Sequence, residues 1–155
     1  MKVENENSIK LVLADKKIRD EWKKQSNWPP GVVESHMHLE NGFSIVAKNK
    51  DELIGMVSIY WREVADLIPG VFEGYIDIIE VKEEYRRLGI ATMLIRELKK
   101  LTQEKDVYQI RAWSSEDKKV AIKMWRNLGF GICPAKIFPD GEEIKGVYAL
   151  FKINN

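Results

Sequence analysis

Residues 79–91 read IEVKEEYRRLGIA, and this stretch decides the fold of the chain. It passes from alternating apolar residues, typical of a strand, through a charged loop with Arg86 and Arg87 to a helix that begins after Gly89. The small residues Gly89 and Ala91 let several backbone N–H groups converge on one ligand, as they do at phosphate-binding helix N-termini. The stretch therefore favours a loop that holds a phosphate or pyrophosphate. A basic, solvated strand-to-helix turn explains the same residues equally well.

The segments on either side of this loop predict a strand–helix–strand unit. Before it, residues 75–81 carry apolar side chains on both faces, which is typical of a central strand covered by helices on each side. After it, apolar residues spaced three and four apart predict a helix from Ala91 to Leu101, and Tyr108–Trp113 predicts the next strand. A connection of this length makes the two strands parallel neighbours.

The N-terminal part predicts a strand, a helix and a hairpin. Ile9–Ala14 is β-compatible, and Asp15 is a typical N-cap for the helix that follows. Residues 32–41 fit either a second short helix or an irregular lid. Phe43–Lys48 and Leu53–Glu63 are joined by four polar residues and predict a β-hairpin.

The C-terminal part predicts one more helix and a final hairpin. We expect Ser114 or Ser115 to cap the helix and Gly129 to end it in the left-handed conformation. The strands of the hairpin are predicted at Ile132–Phe138 and Gly146–Ile153, with a proline at a bulge or strand edge. The apolar stripe of the helix is predicted at Val120, Ala121, Met124, Trp125 and Leu128.

These elements predict an α/β (α+β) fold with a mixed, largely antiparallel sheet, a central parallel strand pair and helices on both faces. The chain has 155 residues, which suits a single domain over residues 1–155. Its 25 basic and 24 acidic side chains nearly cancel, so a broad polybasic surface for nucleic acid is not expected.

Metal and membrane functions are also not expected. One cysteine, Cys133, and two histidines are too few for most zinc sites, so no metal is predicted. No apolar run approaches the ~18 residues that cross a bilayer, and the polar start is unlike a signal peptide, which predicts a cytoplasmic protein without a membrane partner.

Two motifs resemble those of one enzyme family. Residues 86–91 are similar to the pyrophosphate loop of the GNAT superfamily of acyl-CoA-dependent N-acyltransferases, whose pattern is Arg/Gln-x-x-Gly-x-Gly/Ala. Residues 121–130, AIKMWRNLGF, resemble a later helix of that family, which usually reads Ala-x-x-x-Tyr-x-x-x-Gly-Phe. The chain has neither the Gly-x-Gly-x-x-Gly dinucleotide fingerprint nor the Gly-x-x-x-x-Gly-Lys nucleotide loop.

The resemblance implies acetyl-CoA as co-substrate and direct transfer of its acetyl group to an amine in a ternary complex. The pyrophosphate would bind to the backbone N–H groups of residues 87–92, and Val81 would offer main-chain hydrogen bonds to the pantetheine arm. A backbone donor of this strand would polarise the thioester carbonyl. The cofactor-binding residues implied are Val81, Arg86, Arg87, Leu88, Gly89, Ile90, Ala91, Thr92, Lys118 and Trp125.

Two of these positions depart from the family pattern. Trp125 stands where the family usually has the tyrosine that acts as general acid, and an indole N–H is no useful acid, so we interpret Trp125 as a core or CoA-packing residue. Lys118 stands where the family often has a cofactor-contacting asparagine. It is either a solvated charge or a phosphate contact.

Asp77 is the candidate general base, because an aspartate among isoleucines is partly desolvated. Strict alternation would place Asp77 and Val81 on one face of the strand and Ile78 on the other, with Glu80 as the backup base there. The competing interpretation is that Asp77 pairs with a basic neighbour such as Arg111.

Three further residues receive structural interpretations. His36 and His38 lie in the unassigned stretch and are predicted to be surface imidazoles, although they would also suit an acceptor pocket. Cys133 is predicted to be a buried small apolar residue.

The sequence therefore predicts an N-acetyltransferase that acts on a primary amine. Residues 1–81 hold 10 basic and 14 acidic side chains, whereas residues 82–128 hold 12 and 7, so we expect a cationic small-molecule acceptor. The alternative is a non-catalytic module that binds or senses acyl-CoA. Nucleic acid is not an expected partner, and a homodimer is left open.

Overall fold

The computed structural model describes residues 8–64 and 69–153, and this part of the chain contains seven strands and four α-helices. The polar start at residues 1–7 lies outside the described residues. The strands are β1 (Ile9–Leu13), β2 (Gly42–Asn49), β3 (Glu52–Glu63), β4 (Phe72–Val81), β5 (Gln109–Ser115), β6 (Gly131–Ile137) and β7 (Ile144–Lys152). The helices are α1 (Lys16–Gln25), α2 (Pro30–His36), α3 (Ile90–Thr102) and α4 (Lys119–Asn127).

The strands form one sheet in the order β1-β2-β3-β4-β5-β7-β6. The pairs β1–β2, β2–β3, β5–β7 and β6–β7 are antiparallel, whereas β4 and β5 are parallel. The parallel pairing joins Glu73–Tyr75 to Gln109–Arg111. The predicted mixed α/β fold, with a largely antiparallel sheet and one central parallel pair, is therefore confirmed.

The described residues form two compact units. Unit 1 contains residues 8–60 and 77–100, and unit 2 contains residues 61–64, 69–76 and 101–153. The predicted single domain stays a prediction. No helix in the described ranges is both long enough and apolar enough to span a bilayer.

The core of unit 1 lies under α1 and α2. The carboxylate of Asp15 accepts a hydrogen bond from the Ile18 N–H at 2.8 Å, which caps α1 as predicted. Of the two structures expected for residues 32–41, a short helix forms as far as His36, and it begins at Pro30 because proline suits the first helical position. The fully buried side chains of this core are Trp22, Val33, Met37, Val46, Leu53 and Met56.

The core of unit 2 contains a chain of aromatic rings. Trp125 packs on Phe130 with ring centroids 5.0 Å apart, and Phe130 packs on Phe151 at 5.4 Å. Gly129 ends α4 with φ of 86°, as predicted. β6 is the edge strand, and it carries Pro134, also as predicted.

Three predictions in unit 2 are wrong. Ser114 and Ser115 do not cap α4, because β5 continues through both and Ser115 pairs with Gly146 of β7. Val120 does not belong to the buried stripe, since 86% of it is exposed. Cys133 is exposed, because β6 is an edge strand.

Candidate functional site

The loop between β4 and α3 has an unusual backbone. A 3-10 turn at Glu83–Tyr85 leads into Arg87, which has a φ of 65°, and Gly89, which has a φ of 78°. Left-handed residues on either side of Leu88 turn successive N–H groups towards the same side, which forms a concave anion-binding backbone. Gly89 is needed here because other residues rarely adopt this conformation. The loop predicted from the sequence leads directly into α3, which begins at Ile90, the residue after Gly89.

The backbone N–H groups of this loop are available to a ligand. Within residues 8–64 and 69–153, none of the six from Arg87 to Thr92 makes a backbone hydrogen bond of normal length and angle, and the first helical bond runs from the Met93 N–H to the Gly89 carbonyl at 3.0 Å. The first N–H groups of a helix always need an outside acceptor, and the helix dipole adds partial positive charge at this end. The loop can therefore accept a multiply charged anion.

The loop is fixed to β3 by Glu52. The hydroxyl of Tyr85, which is 2% exposed, donates to the Glu52 carboxylate at 2.6 Å, and the Lys82 ammonium lies 3.3 Å from the same carboxylate. The hydrogen bond to Glu52, together with burial, raises the pKa of the Tyr85 hydroxyl above its usual value. The backbone N–H of Lys82 donates to the Ile54 carbonyl at 2.9 Å. The end of β4 is thereby held firmly ahead of the loop.

Arg86 contacts the strand that precedes it. Its guanidinium lies 3.1 Å from the Glu80 carboxylate, and its Nε donates to the Val81 carbonyl at 2.9 Å. Three of the predicted site residues, Glu80, Val81 and Arg86, are thus in mutual contact. Arg86 is also 58% exposed along its side chain, so it has room to change rotamer.

Asp77 forms a cluster with both histidines of the chain. Its Oδ2 lies 2.9 Å from Nδ1 of His36 and 2.8 Å from Nε2 of His38. The side chains are 19%, 44% and 23% exposed for Asp77, His36 and His38. Both imidazoles are partly exposed, as predicted for surface residues, but the end of α2 also brings both rings to one carboxylate, which the sequence did not predict. The suggested pairing of Asp77 with Arg111 is wrong, since Arg111 binds Glu73 instead.

Buried serines hold this cluster in place. The backbone N–H of His38 donates to Oγ of Ser58 at 2.9 Å, and Oγ of Ser44 donates to the His38 carbonyl at 2.8 Å. Ser44 and Ser58 are fully buried, and their Oγ atoms lie 2.9 Å apart. The ring of His38 also packs on Tyr60, with centroids 4.8 Å apart. Position 38 is therefore rigid.

The surroundings of Asp77 were not predicted from the sequence. Ile78 packs against the core formed with α1 and α2, and the neighbouring Asp77 contacts residues 36 and 38 of the same segment. Asp77 therefore lies close to the end of α2, a position that the pattern of β4 alone could not indicate.

A cleft of about 460 Å³ opens in unit 1 beside Glu80. Trp22 and Trp28 meet edge to face at its wall, with centroids 5.8 Å apart. The indole N–H of Trp22 is buried and has no hydrogen-bond partner in the described part of the chain. The lining consists of Trp22, Gln25, Ser26, Asn27, Trp28, Glu80, Lys82, Glu83, Glu84 and Arg86.

The remaining predicted site residues, Lys118 and Trp125, lie in unit 2. Trp125 is 2% exposed, and its indole N–H donates to Oγ of Ser114 at 3.1 Å. Lys118 is exposed and stands at the N-cap position of α4, where its backbone N–H donates to the Ser115 carbonyl at 3.0 Å. Trp125 is therefore a core residue of this unit whose only polar atom is already engaged.

Unit 2 also contains a buried carboxylate that the sequence did not reveal. Glu73 of β4 is fully buried, and it binds Nε of Arg62 at 2.9 Å and Nε of Arg111 at 3.0 Å. Gln109 donates to it at 2.6 Å. The alternation of β4 gave no sign of this, because its partners come from β3 and β5. Among the described residues, no group of three or more His, Cys, Asp or Glu side chains is arranged to hold a metal ion.

Comparison with known proteins gives both a family and a fold. The model of the acetyltransferase (GNAT) family matches residues 13–130. The solved structure of Arabidopsis thaliana NAA60 in complex with a bisubstrate analogue is 18% identical, with a TM-score of 0.75 over 94% of this chain and 98% of that chain. The ribosomal-protein-S18-alanine N-acetyltransferase of Escherichia coli is 15% identical, with a TM-score of 0.72 over 95% of each chain.

A third similar structure was solved with its ligand. It is a GNAT family acetyltransferase from Elizabethkingia anophelis with acetyl-CoA bound, 16% identical, with a TM-score of 0.67 over 95% of this chain and 99% of that chain. At such identities the likeness establishes the fold, whereas the family match covers more than half of the chain.

Proposed function

The chain belongs to the GNAT family of acetyltransferases, and on that premise we propose that it transfers the acetyl group of acetyl-CoA to a primary amine. The observation that carries the proposal is the run of six backbone N–H groups, from Arg87 to Thr92, that make no backbone hydrogen bond of normal length and angle in the described ranges. A pyrophosphate offers several charged oxygens to such a run of donors, and the start of α3 adds its dipole.

We expect the side chain of Arg86 to take part in cofactor binding as well. Arg86 donates to the Val81 carbonyl, which is the main-chain group that we assign to the pantetheine arm. We expect Arg86 to turn from Glu80 and Val81 towards the pyrophosphate when CoA binds, because a phosphate binds a guanidinium more strongly than a partly exposed carboxylate does. Arg87, Leu88, Gly89, Ile90, Ala91 and Thr92 would supply the loop itself. Lys118 and Trp125 remain proposed cofactor contacts.

Removal of a proton from the acceptor is assigned to the cluster around Asp77. The acceptor arrives as an ammonium ion and must lose a proton before its nitrogen can attack the thioester. Asp77 with its two histidines is the best organised set of proton-accepting groups in unit 1. Glu80 is the backup, and its carboxylate is compensated by Arg86.

Departure of the thiolate needs no dedicated acid in this proposal. The indole of Trp125 cannot supply a proton, and its N–H is held by Ser114. A CoA thiol resembles a cysteine, with a pKa of about 8.5, so its thiolate can leave and take a proton from water. A backbone donor of β4 would stabilise the oxyanion that precedes this step.

We propose a cationic small molecule as the acceptor. Three carboxylates, those of Glu80, Glu83 and Glu84, line the cleft against two cations, Lys82 and Arg86, and residues 1–81 carry more acidic than basic side chains. Such a surface attracts amines with several positive charges. A peptide or protein amine is the competing acceptor, since one of the similar structures is the ribosomal-protein-S18-alanine N-acetyltransferase of Escherichia coli.

The experiment measures thiol release from acetyl-CoA against a panel of polyamines, amino sugars and peptides with an unblocked N-terminus, beside a titration of CoA alone. We expect saturable CoA binding and turnover with at least one polyamine or amino sugar. Binding without turnover on any amine would favour the alternative, a non-catalytic acyl-CoA module. Failure to bind CoA would exclude both functions.

A further inference from the structure

We propose that the atom that takes the proton from the acceptor amine is Nε2 of His36, and that Asp77 is the positioning residue that aims it. The proposal rests on the proposed acetyl transfer and specifies its base. Sequence alone pointed to the Asp77 carboxylate itself. The geometry points to the imidazole, because Oδ2 of Asp77 already accepts two hydrogen bonds.

The carboxylate selects one tautomer of each ring. An ionised carboxylate oxygen accepts hydrogen bonds and donates none, so the ring nitrogen that faces it carries the hydrogen. Neutral His36 is therefore protonated on Nδ1 and presents a lone pair on Nε2. Neutral His38 is protonated on Nε2, which faces Asp77. Asp77 thus orients His36 in the way that a carboxylate orients the histidine of a catalytic dyad.

Accessibility distinguishes His36 from His38. His38 is 23% exposed, its ring lies against Tyr60, and its backbone is bonded on both sides by Ser44 and Ser58. His36 is 44% exposed, and within the described residues its ring has one polar contact, to Asp77. A ring that is held at one nitrogen and open at the other can reach a substrate. We therefore assign proton transfer to His36 and support of Asp77 to His38.

Asp77 is the charged group that contacts the His36 ring. The Asp77 carboxylate faces the ring directly, and the same carboxylate oxygen also contacts His38, whose ring packs on Tyr60. On α2 itself, Glu34 is two residues away, but it is paired with Arg19 and Lys23 of α1. Asp77 is thus the acidic group that compensates a proton on His36.

The proton balance of the step closes without a further reactant. The ammonium gives one proton to Nε2 of His36, and the lone pair of the nitrogen forms the C–N bond at the thioester carbonyl carbon. The C–S bond then breaks, and its electron pair leaves with the CoA sulfur. The second proton of the acceptor nitrogen passes through solvent to the thiolate. His36 returns its proton to solvent, so each turnover releases one proton.

Steady-state kinetics with acetyl-CoA and the best amine of the panel test this base. His36→Gln should lower kcat/KM for the amine by about 100-fold at neutral pH, within the usual contribution of a general base. The loss should shrink as the pH rises, because more of the amine is already deprotonated, and CoA affinity should stay unchanged. Asp77→Asn should cost about 10-fold in kcat/KM and change the shape of the pH profile. Ser35→Ala on the same helix, whose hydroxyl donates to the Gly31 carbonyl, is the control and should keep wild-type rates.

A second measurement tests the geometry without any acceptor. Nitrogen NMR of the histidine rings should find the neutral form of His36 protonated on Nδ1, and Asp77→Asn should remove that preference. Wild-type kcat/KM in His36→Gln, or a proton on Nε2 of neutral His36, would overturn the proposal while acetyl transfer stands. Absence of turnover in the wild type on every amine would instead remove the proposed function, and the base with it.

Discussion

Among the residues of the loop, we expect substitution of Gly89 to have the largest effect on function. Glycine adopts its φ of 78° far more readily than other residues do. A Cβ placed there would nevertheless meet no atom within 4 Å. A side chain at this position is therefore not excluded by packing. It would instead project into the space that we assign to the pyrophosphate, so substitution tests cofactor binding more than folding.

We predict that Gly89→Glu raises the Kd for CoA by at least 10-fold, because the carboxylate adds negative charge beside the backbone N–H groups of the loop. The matched control is Gly141→Glu, since Gly141 has a φ of 79° and equally open surroundings in unit 2. Both variants should lose about 1–2 kcal/mol of stability from backbone strain. Only Gly89→Glu should lose affinity in a calorimetric titration. Native affinity in that variant would contradict the placement of the loop.

Tyr85 gives a prediction about pH. Its raised pKa means that folding stabilises the neutral hydroxyl, so this stabilisation is present below the ordinary tyrosine pKa of about 10 and is lost as the pH rises through the higher, folded value. Tyr85→Phe should cost about 1 kcal/mol at pH 7, since Glu52 is partly exposed.

Urea unfolding at pH 7, 9 and 11 measures this effect. The difference in the free energy of unfolding between wild type and Tyr85→Phe should be the same at pH 7 and pH 9 and smaller at pH 11. Tyr108→Phe is the control, because Tyr108 is 48% exposed and should change stability little at any pH. An undiminished difference at pH 11 would disprove the stabilising hydrogen bond to Glu52.

At the scale of elements, β3, β4 and β5 are joined by the carboxylate of Glu73. The group is fully buried and binds one arginine from each neighbouring strand, Arg62 and Arg111. Removal of one member of such a buried network leaves the other charges uncompensated, which costs more than the network contributes as a whole. The register of the three-residue parallel pairing is thus supported by side chains as well as by the backbone.

We predict that Glu73→Gln destabilises the protein by about 2–3 kcal/mol, less than for two fully buried partners because both arginines are partly exposed. The matched control is Glu143→Gln, which breaks the exposed ion pair with Lys136 and should cost less than about 0.5 kcal/mol. Denaturant unfolding compares the two. Equal losses would show that the buried network contributes no more than a surface pair.

Most elements were predictable, because their signals are local. Asp15 caps α1, Gly129 ends α4, and β2 and β3 form a hairpin as expected. The hairpin turn has two residues, Lys50 and Asp51, and not the four predicted, because Asn49 pairs with Glu52. The start of α4 was not predictable, since the pairing of Ser115 with Gly146 extends β5 through residues that have good capping propensity. Tertiary pairing here overrides a local preference.

The candidate site also has one part that could be predicted from the sequence and one part that could not. The phosphate loop is one continuous stretch, so its glycine and arginines could be recognised from the sequence. The cluster of His36, His38 and Asp77 joins residues about forty positions apart. Two histidines separated by one residue in a polar segment were the only signal, and no periodicity connects them to β4. The buried network of Glu73 was not predicted for the same reason, because the partners of Glu73 come from two other strands.

At the scale of the whole molecule, cofactor binding should stabilise the fold. A ligand that binds only the folded state adds about 2.7 kcal/mol at a concentration 100-fold above its Kd. We predict a rise in Tm with CoA or acetyl-CoA that depends on ligand concentration and is clearly smaller in Gly89→Glu at the same concentration. His36→Gln should keep the full shift despite its low turnover. Loss of the shift in His36→Gln would show that residue 36 acts on cofactor binding and not on proton transfer.

The distribution of charge over the chain predicts the acceptor. Residues 1–81 contain 14 acidic and 10 basic side chains, whereas residues 82–128 contain 7 and 12, so the net charge of +1 hides two opposite halves. The basic half includes the loop for the polyanionic cofactor, and the acidic half includes Asp77 and Glu80. In a series of mono-, di- and triamines of similar length, KM should fall with each added charge. High salt should weaken that trend, because it screens exposed charges. A series without this trend, beside efficient acetylation of an uncharged peptide N-terminus, would exclude a cationic small molecule and favour a protein acceptor.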